Sequence, residues 1–195
     1  MDHLLQRRSI RLPKYDYSSQ GLYYITICTQ NRELYFDRDD VKQMIDTQWL
    51  ELKNKYPNID LDEYVIMPNH IHGIIVINDI GRRRGEPLWS PESKNRHVYF
   101  AGNHKGYPYN EAPRLGDIIG AFKSITTHFY IQGIKTKDWS RFDKKLWQRN
   151  YYEHIIRNQK SLDDIRKYIK FNPYNWDRDR NNPKNRKQNT HGTVD

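Results

Sequence analysis

The sequence has a single cysteine, Cys28, among its 195 residues. One cysteine excludes an internal disulfide and any zinc site built from several thiolates, so a bound metal would need histidine, carboxylate or amide ligands. The sequence also has no apolar run long enough to cross a bilayer, and its first residues lack the apolar core of a signal peptide. We therefore expect a cytoplasmic protein that makes no contact with a membrane.

The sequence has fewer acidic than basic residues, with 24 Asp and Glu and 33 Lys and Arg. Its formal net charge at pH 7 is +9. Aromatic residues make up 13% of the chain, and 15 of them are tyrosines. Cations combined with aromatic rings suit a polyanion that exposes bases, so nucleic acid is the first partner class to consider. Composition alone fits equally well a soluble basic protein whose lysines only keep it dispersed.

The length and the 36% hydrophobic content are enough for one compact domain. Residues 1–20 read as a basic arm, and residues 21–176 as the folded domain. Within that domain, residues 79–112 lose periodicity and are rich in Gly, Pro, Arg and Asn, which predicts a long basic loop. Residues 177–195 are charged and rich in Asn, which predicts a disordered tail.

Hydrophobic periodicity predicts four strands and three helices in the order strand, helix, strand, strand, helix, strand, helix. The predicted strands cover residues 22–29, 62–68, 70–78 and 145–158, and the helices begin near Asp39, near Leu115 and at Ser161. This order is that of a ferredoxin-like α+β fold with one additional C-terminal helix. We expect a four-stranded antiparallel sheet with two helices on one face, the other face being left for a partner, a substrate or the last helix.

The stretch "MPNHIHGIIVI" (67–77) places two histidines at the start of a predicted strand. Side chains at positions i and i+2 of a strand point to the same face, so His70 and His72 could share one metal ion. A histidine pair alone is a weak signal, because single histidines are more often structural residues than ligands.

The last predicted helix could complete such a site. Tyr168 and Asn172 are four residues apart, which places a phenol and an amide on one helix face. Two imidazoles, an amide oxygen and open positions suit Mg²⁺ or Mn²⁺, and the histidines favour Mn²⁺. The alternative is that Tyr168 borders the apolar stripe of this helix and belongs to the core.

Four stretches in this order closely resemble the REP-associated tyrosine transposases, which are single-tyrosine members of the HUH endonuclease superfamily. They are "MPNHIHGIIVI" (67–77), "LGDIIGAFKS" (115–124), "LWQRNYYEHIIRN" (146–158) and "SLDDIRKYIKFNP" (161–173). The superfamily is named for two histidines that flank a hydrophobic residue, here Ile71. The resemblance runs from about residue 10 to residue 176 and implies a ferredoxin-like sheet with the tyrosine on a C-terminal helix.

The resemblance implies that His70 and His72 are metal ligands, that Asn172 is the third ligand, and that Tyr168 is the nucleophile. Attack by the tyrosine would leave a 5′-phosphotyrosine and a free 3′-hydroxyl, with Mg²⁺ or Mn²⁺ as cofactor. Tyr151 and Tyr152 are rival nucleophiles, ranked below Tyr168 because they lie on the preceding strand.

In this family the substrate is single-stranded DNA beside palindromic hairpins. The candidate DNA-binding residues are Arg82, Arg83, Arg84, Lys123, Arg149 and the N-terminal arginines. The long segment 79–112 departs from the plainest family pattern and puts in doubt any transfer of DNA contacts from shorter relatives. Relatives include monomers and dimers that exchange the tyrosine helix, so a homodimer is an open alternative.

Two other functions stay open on the sequence. One is a hairpin-binding protein without catalytic activity. The other is a metal-dependent hydrolase that uses water, which would need further acidic ligands near the histidines. Glu63 is the nearest carboxylate along the chain and precedes the turn by several residues, so the hydrolase ranks last.

Overall fold

A computed structural model describes residues 15–78 and 113–185. Most of the predicted basic arm and the whole of the predicted loop 79–112, with Arg82, Arg83 and Arg84, lie outside the described residues. Tyr15 and Tyr17, at the end of the predicted arm, pack against the core of the domain.

The described residues form one four-stranded antiparallel sheet with helices on both faces, so the predicted α+β fold is confirmed. The strands are β1 (Gly21–Cys28), β2 (Ile59–Met67), β3 (His70–Ile77) and β4 (Tyr152–Ile156), in the order β2-β3-β1-β4. The α-helices are α1 (Asp39–Leu50), α2 (Leu52–Lys55), α3 (Leu115–Thr136) and α4 (Gln159–Phe171). None of these helices is both long and apolar enough to cross a membrane.

Three short 3₁₀ helices complete the described structure, at Gln30–Arg32, Pro173–Arg178 and Pro183–Asn185. Several predicted boundaries differ from the structure, and β2 begins at Ile59, three residues before the predicted start. The strand predicted over 145–158 is limited to β4, because its first part only bridges to Thr29 through Trp147. Helix α4 begins two residues earlier than predicted, since the Asn158 side chain accepts a hydrogen bond from the backbone N–H of Ser161 and caps the helix.

The alternation of side chains along the strands divides the core into two layers. On one face, residues such as Ile25, Ile71 and Ile75 pack against α1 and α3, with Trp49 and Phe122 at the centre of the contact. On the other face, a smaller apolar cluster packs against α4; its buried members are Leu22, Tyr24, Ile74, Val76, Ile156, Leu162 and Ile169. Helix α4 therefore covers the face that the sequence left open.

Gly73, one residue after the histidine pair, leaves room for Trp49 on the α1 side of the sheet. A Cβ atom at Gly73 would lie 2.6 Å from Cζ2 of Trp49 and 3.3 Å from Cβ of Tyr64. Because neither neighbour is the free end of a flexible chain, we expect Gly73→Ala to lower the free energy of unfolding by about 2 kcal/mol. Urea denaturation followed by tryptophan fluorescence would measure this, and an unchanged midpoint would contradict the expectation.

Helix α4 is fixed to the edge strand β2 by an ion pair between Arg166 and Asp62. The guanidinium donates two hydrogen bonds to the carboxylate, at 2.8 and 2.5 Å. A register irregularity in β2 between Leu61 and Tyr64 contains the aspartate. The hydrogen bonds from Arg166 hold the pKa of the Asp62 carboxyl below its ordinary value of 3.8.

A carboxyl whose pKa is lower in the folded state than in the unfolded state stabilises the fold above its unfolded pKa, and this contribution is lost as the pH falls. The Arg166 side chain is 40% exposed, so solvent screening limits the contribution to about 1 kcal/mol at pH 7. We expect Asp62→Asn to destabilise the protein by about this amount at pH 7 and to be nearly neutral at pH 3. Parallel urea titrations at the two pH values test this; an equal loss at both would show that the charge is not responsible.

The prediction of a disordered tail is wrong for residues 177–185, which fold back as 3₁₀ turns. Asp179, Asn181 and Asn182 are buried there. Most of their polar groups are paired: the Asn181 backbone N–H donates to Asp179, and the Asn182 amide donates to the carbonyl of Trp176. The side-chain amide nitrogen of Asn181 is buried without a hydrogen-bond partner. Composition predicted disorder because such residues are usually solvated, whereas here they bond to one another and to the backbone.

Candidate active site

Strand β3 begins with His70 and His72, and both side chains point to the face that carries α4. Their Nε2 atoms lie 3.0 Å apart, and both residues are at most 1% exposed. Two nitrogen ligands at about 2.1 Å from one ion, at about a right angle, are themselves about 3.0 Å apart. The spacing of the pair therefore fits two ligands of one metal ion.

The other ring nitrogen of His70 is fixed by Asn69, which is completely buried. The Asn69 amide nitrogen donates to the carbonyl groups of Arg32 and Asn181, each at 2.8 Å. Its oxygen therefore faces Nδ1 of His70, also at 2.8 Å, and accepts the Nδ1–H. This tautomer leaves the lone pair of His70 on Nε2, where a metal would bind.

The ring of His72 is fixed by two hydroxyl groups of the neighbouring strand β1. Its Nδ1 atom lies 2.8 Å from the hydroxyl of Tyr24 and 2.8 Å from that of Thr26. Both hydroxyls can accept an N–H, and the Tyr24 ring also stacks on the imidazole at 5.6 Å. Hydrogen bonds at Nδ1 thus orient both imidazoles, as a bond to the second ring nitrogen does in metal-ligating histidines.

Both histidines are held in the neutral form that binds metals. Burial lowers the pKa of His70 to about 3, and the nearby charges of Arg32 and Arg180 act in the same direction. Burial, with the neighbouring His70, also lowers the pKa of His72 well below its ordinary value. Neither ring needs to lose a proton before a cation binds at neutral pH.

The Tyr168 hydroxyl lies 3.4 Å from Nε2 of His72 in the same chain. The two ring centroids are 5.2 Å apart, and the tyrosine is 45% exposed. Tyr168 therefore borders the apolar stripe of α4 without being enclosed by the core. Burial and the charge of Asp179 raise the pKa of the phenol, while Arg180 and hydrogen bonds with Asn172 and Tyr24 oppose that rise.

Asn172, the predicted third ligand, is the C-cap residue of α4 and is 3% exposed. Its amide nitrogen donates to Oδ2 of Asp179 at 3.1 Å. Its amide oxygen is buried and has no hydrogen-bond partner. An orphaned buried carbonyl oxygen is costly unless something else binds it, so the site fits a cation at this position.

Asp179 is a candidate metal ligand that sequence reasoning missed, because it lies in the stretch read as a disordered tail. Its Oδ2 atom is 3.9 Å from Nε2 of His70. Ligand atoms of His70, His72 and Asp179 all lie within 4.8 Å of one another. The hydrolase ranked last because the sequence showed no carboxylate near the histidines. The structure places the carboxylate of Asp179 there.

Comparison with known proteins places the chain in a family and identifies its fold. No family model matches the sequence. The chain is 35% identical over 185 residues to an uncharacterized protein of Haemophilus influenzae, and the match covers 89% of this chain and 91% of that protein. The two proteins belong to one family.

Among solved structures, a REP-associated tyrosine transposase bound to a REP hairpin matches with a TM-score of 0.53 at 18% identity. The match covers 85% of this chain and 73% of that one. At this identity the match shows a shared fold. The resemblance expected from the motifs is therefore confirmed for the fold. The fold is that of a REP-associated tyrosine transposase.

The two rival tyrosines lie on different sides of this transposase fold. Tyr151 packs against the core on the α1 and α3 face, where the ammonium group of Lys123 lies 5.6 Å from its ring centroid. Tyr152 lies on the histidine face with its ring centroid 6.2 Å from that of Tyr24. Of the three tyrosines, Tyr168 is the one whose hydroxyl lies beside an imidazole of the pair.

Of the predicted DNA-binding residues, the structure describes Lys123 and Arg149. Lys123 donates to the backbone carbonyls of Gln148, Arg149 and Asn150, at 2.9 to 3.3 Å, and so connects α3 to the segment before β4. Arg149 is exposed. A structural contact therefore accounts for the position of Lys123, and its role in DNA binding stays a prediction.

Proposed function

We propose that this protein is a metal-dependent endonuclease and strand transferase that acts on single-stranded DNA beside hairpins through Tyr168. The observation that carries the proposal is the position of the phenol, 3.4 Å from one of two imidazoles whose Nε2 atoms are 3.0 Å apart. The solved transposase with this fold is bound to a REP hairpin, which supports a hairpin as the partner. The net charge of +9 supports a polyanion.

His70 and His72 would hold the metal ion, with the orphaned oxygen of Asn172 or the carboxylate of Asp179 as the third ligand. Nitrogen and oxygen donors of this kind suit Mg²⁺ or Mn²⁺, and the two imidazoles favour Mn²⁺. When bound, the ion would polarise the scissile phosphate and stabilise the charge that develops on its oxygens.

The chain itself supplies the nucleophile. The Tyr168 oxygen attacks phosphorus, the bond from phosphorus to the 3′-oxygen breaks, and the departing 3′-oxygen takes up a proton. The product is a 5′-phosphotyrosine. The phosphodiester that links the DNA to the tyrosine takes the place of the phosphodiester that linked two nucleotides. Another 3′-hydroxyl can therefore reverse the step and join two strands without a nucleotide cofactor.

The phenol must lose its proton in this step, and its raised pKa makes that loss harder. Arg180, Asn172 and Tyr24 each favour the phenolate, because they offer positive charge or a hydrogen bond to its oxygen. The half-exposed ring leaves one side of the phenol open to a phosphate group, as an attacking residue requires.

A covalent-adduct assay tests the proposal. Hairpin oligonucleotides with a labelled, randomised single-stranded flank are incubated with the full chain and Mn²⁺, and the products are separated in denaturing gels. We expect a labelled protein band that EDTA prevents. Binding without any adduct or cleavage would favour the idle hairpin-binding protein.

A metal-dependent hydrolase is the second candidate, and the carboxylate of Asp179 beside the two histidines favours it. A hydrolase would use water in place of the phenol and would release a free 5′-phosphate. Cleavage that leaves no DNA on the protein would therefore support this candidate, and cleavage through a protein-bound intermediate would exclude it.

A further inference from the structure

A cleft of about 730 Å³ opens beside Tyr168, between β4 and the first half of α4. Its walls include Tyr24, Tyr152, Ser161 and Arg180. The volume lies in the range of cavities that hold small organic ligands. The chemistry proposed for Tyr168 uses only the end of this cleft where the phenol lies.

Tyr152 and Arg180 provide an aromatic surface and a cation inside the cleft. The Tyr152 side chain is 47% exposed, and the Arg180 guanidinium lies 6.0 Å from its ring centroid. None of the ion pairs formed by the described residues includes Arg180, so its charge is available to an anion. Its field already reaches Tyr168, whose phenolate it favours.

The remaining charges of the cleft largely cancel. Lys160 and Asp164 form an ion pair at 2.7 Å along the exposed face of α4. The guanidinium of Arg180 is therefore the main charge that faces the cleft and is not offset within it. An exposed ring beside an unpaired cation suits a ligand with a flat base and a phosphate, and unpaired nucleotides have both.

We propose that this cleft binds one nucleotide of the DNA strand next to the scissile phosphate, with its base on the Tyr152 ring and its phosphate on Arg180. The proposal rests on the proposed function, because it assigns the substrate of the same site. The nucleotide would lie directly beside the Tyr168 hydroxyl and would position the phosphate for attack. Stacking on an aromatic ring tolerates every base, so the subsite would contribute affinity more than sequence specificity.

Binding of a fluorescein-labelled oligodeoxythymidine of eight nucleotides, measured by anisotropy in EDTA, tests the subsite without any chemistry. We expect Tyr152→Ala to weaken binding about tenfold and Tyr152→Phe to stay within about twofold of the natural protein. We expect Arg180→Gln to reduce the slope of log affinity against log salt by about 0.7, the value for one phosphate of a single strand, and Arg180→Lys to keep it.

Two matched variants control for general effects. Phe129→Ala removes a comparably exposed ring from α3, which covers the opposite face of the sheet, and Arg178→Gln removes an exposed arginine two residues before Arg180. Both should bind the oligonucleotide as the natural protein does. Equal weakening by the control and the cleft variants would overturn the subsite, as would no weakening by the cleft variants.

Photo-crosslinking locates the base directly. The same oligonucleotide with one 5-iododeoxyuridine is irradiated with the full chain, and the crosslinked peptide is identified by mass spectrometry. A crosslink at Tyr152 supports the subsite; crosslinks only elsewhere, or no binding of the oligonucleotide, overturn it. The adduct assay reports separately on the proposed function. If the natural protein forms adducts and the cleft variants bind the oligonucleotide normally, the subsite is wrong and the proposed function stands.

Discussion

Replacing Tyr168 by phenylalanine is expected to abolish the covalent DNA adduct, with a loss of rate of about 10⁴-fold or more. The substitution removes one oxygen atom and keeps the ring that contacts His72 and Tyr24. Because the phenol oxygen forms the bond to phosphorus in the proposed reaction, no neighbouring group can replace it. The adduct is measured in denaturing gels with the labelled hairpin substrates.

Tyr174→Phe provides the matched control for this experiment. Tyr174 is 85% exposed and lies six residues after Tyr168, so loss of its hydroxyl should leave the amount of adduct unchanged. Tyr168→Phe should still bind the single-stranded oligonucleotide and Mn²⁺, which separates loss of chemistry from loss of folding. An adduct of normal yield in Tyr168→Phe would show that another residue is the nucleophile.

Replacing His70 by alanine is expected to weaken Mn²⁺ binding by about 100-fold or more, since one of two imidazole donors is lost. Titration of the free protein followed by the electron paramagnetic resonance signal of unbound Mn²⁺ measures this without DNA. The adduct should disappear with the metal. Mn²⁺ binding that is unchanged in His70→Ala would place the metal away from β3.

Asn69 gives a graded test of the same site, because it acts through His70. We expect Asn69→Ala to weaken Mn²⁺ binding by about 10- to 100-fold, as the loss of a side chain that orients a metal ligand usually does. It should also lower the free energy of unfolding by about 2 kcal/mol, since one buried and one partly buried carbonyl group lose their donor.

Asn69→Asp separates these two effects. The carboxylate keeps an oxygen for the Nδ1–H of His70 and loses the amide donors to Arg32 and Asn181. It should retain more metal affinity than Asn69→Ala at a similar cost in stability. The exposed Asn54 offers the control, and Asn54→Ala should change neither quantity by much.

The arrangement of the histidine pair and the sheet could be predicted from local sequence patterns. A strand has a period of two, so His70 and His72 had to share a face wherever the strand lay. The turn at Asn69 and the helical period of α4 were equally local signals. These patterns give the elements and their faces, and the order of the elements along the chain gives the ferredoxin-like fold.

The rest of the site depends on contacts between segments distant in sequence, which no local pattern encodes. Asp179 and Arg180 reach the site because Asn181 accepts a hydrogen bond from Asn69, 112 positions earlier in the chain. Composition predicted disorder for that segment, since it counts Asn and Asp as solvated. The same limit applies to Asn69, which reads as a turn residue and serves also as the partner of His70.

The most direct test of the account is to identify the amino acid that carries the DNA. The adduct is digested with nuclease and protease, and the modified peptide is sequenced by mass spectrometry. We expect a deoxynucleotide joined through its 5′-phosphate to Tyr168, in the peptide that contains "SLDDIRKYIKFNP". A nucleotide on Tyr151, Tyr152 or any other residue, or a 3′-linked nucleotide on Tyr168, would contradict it.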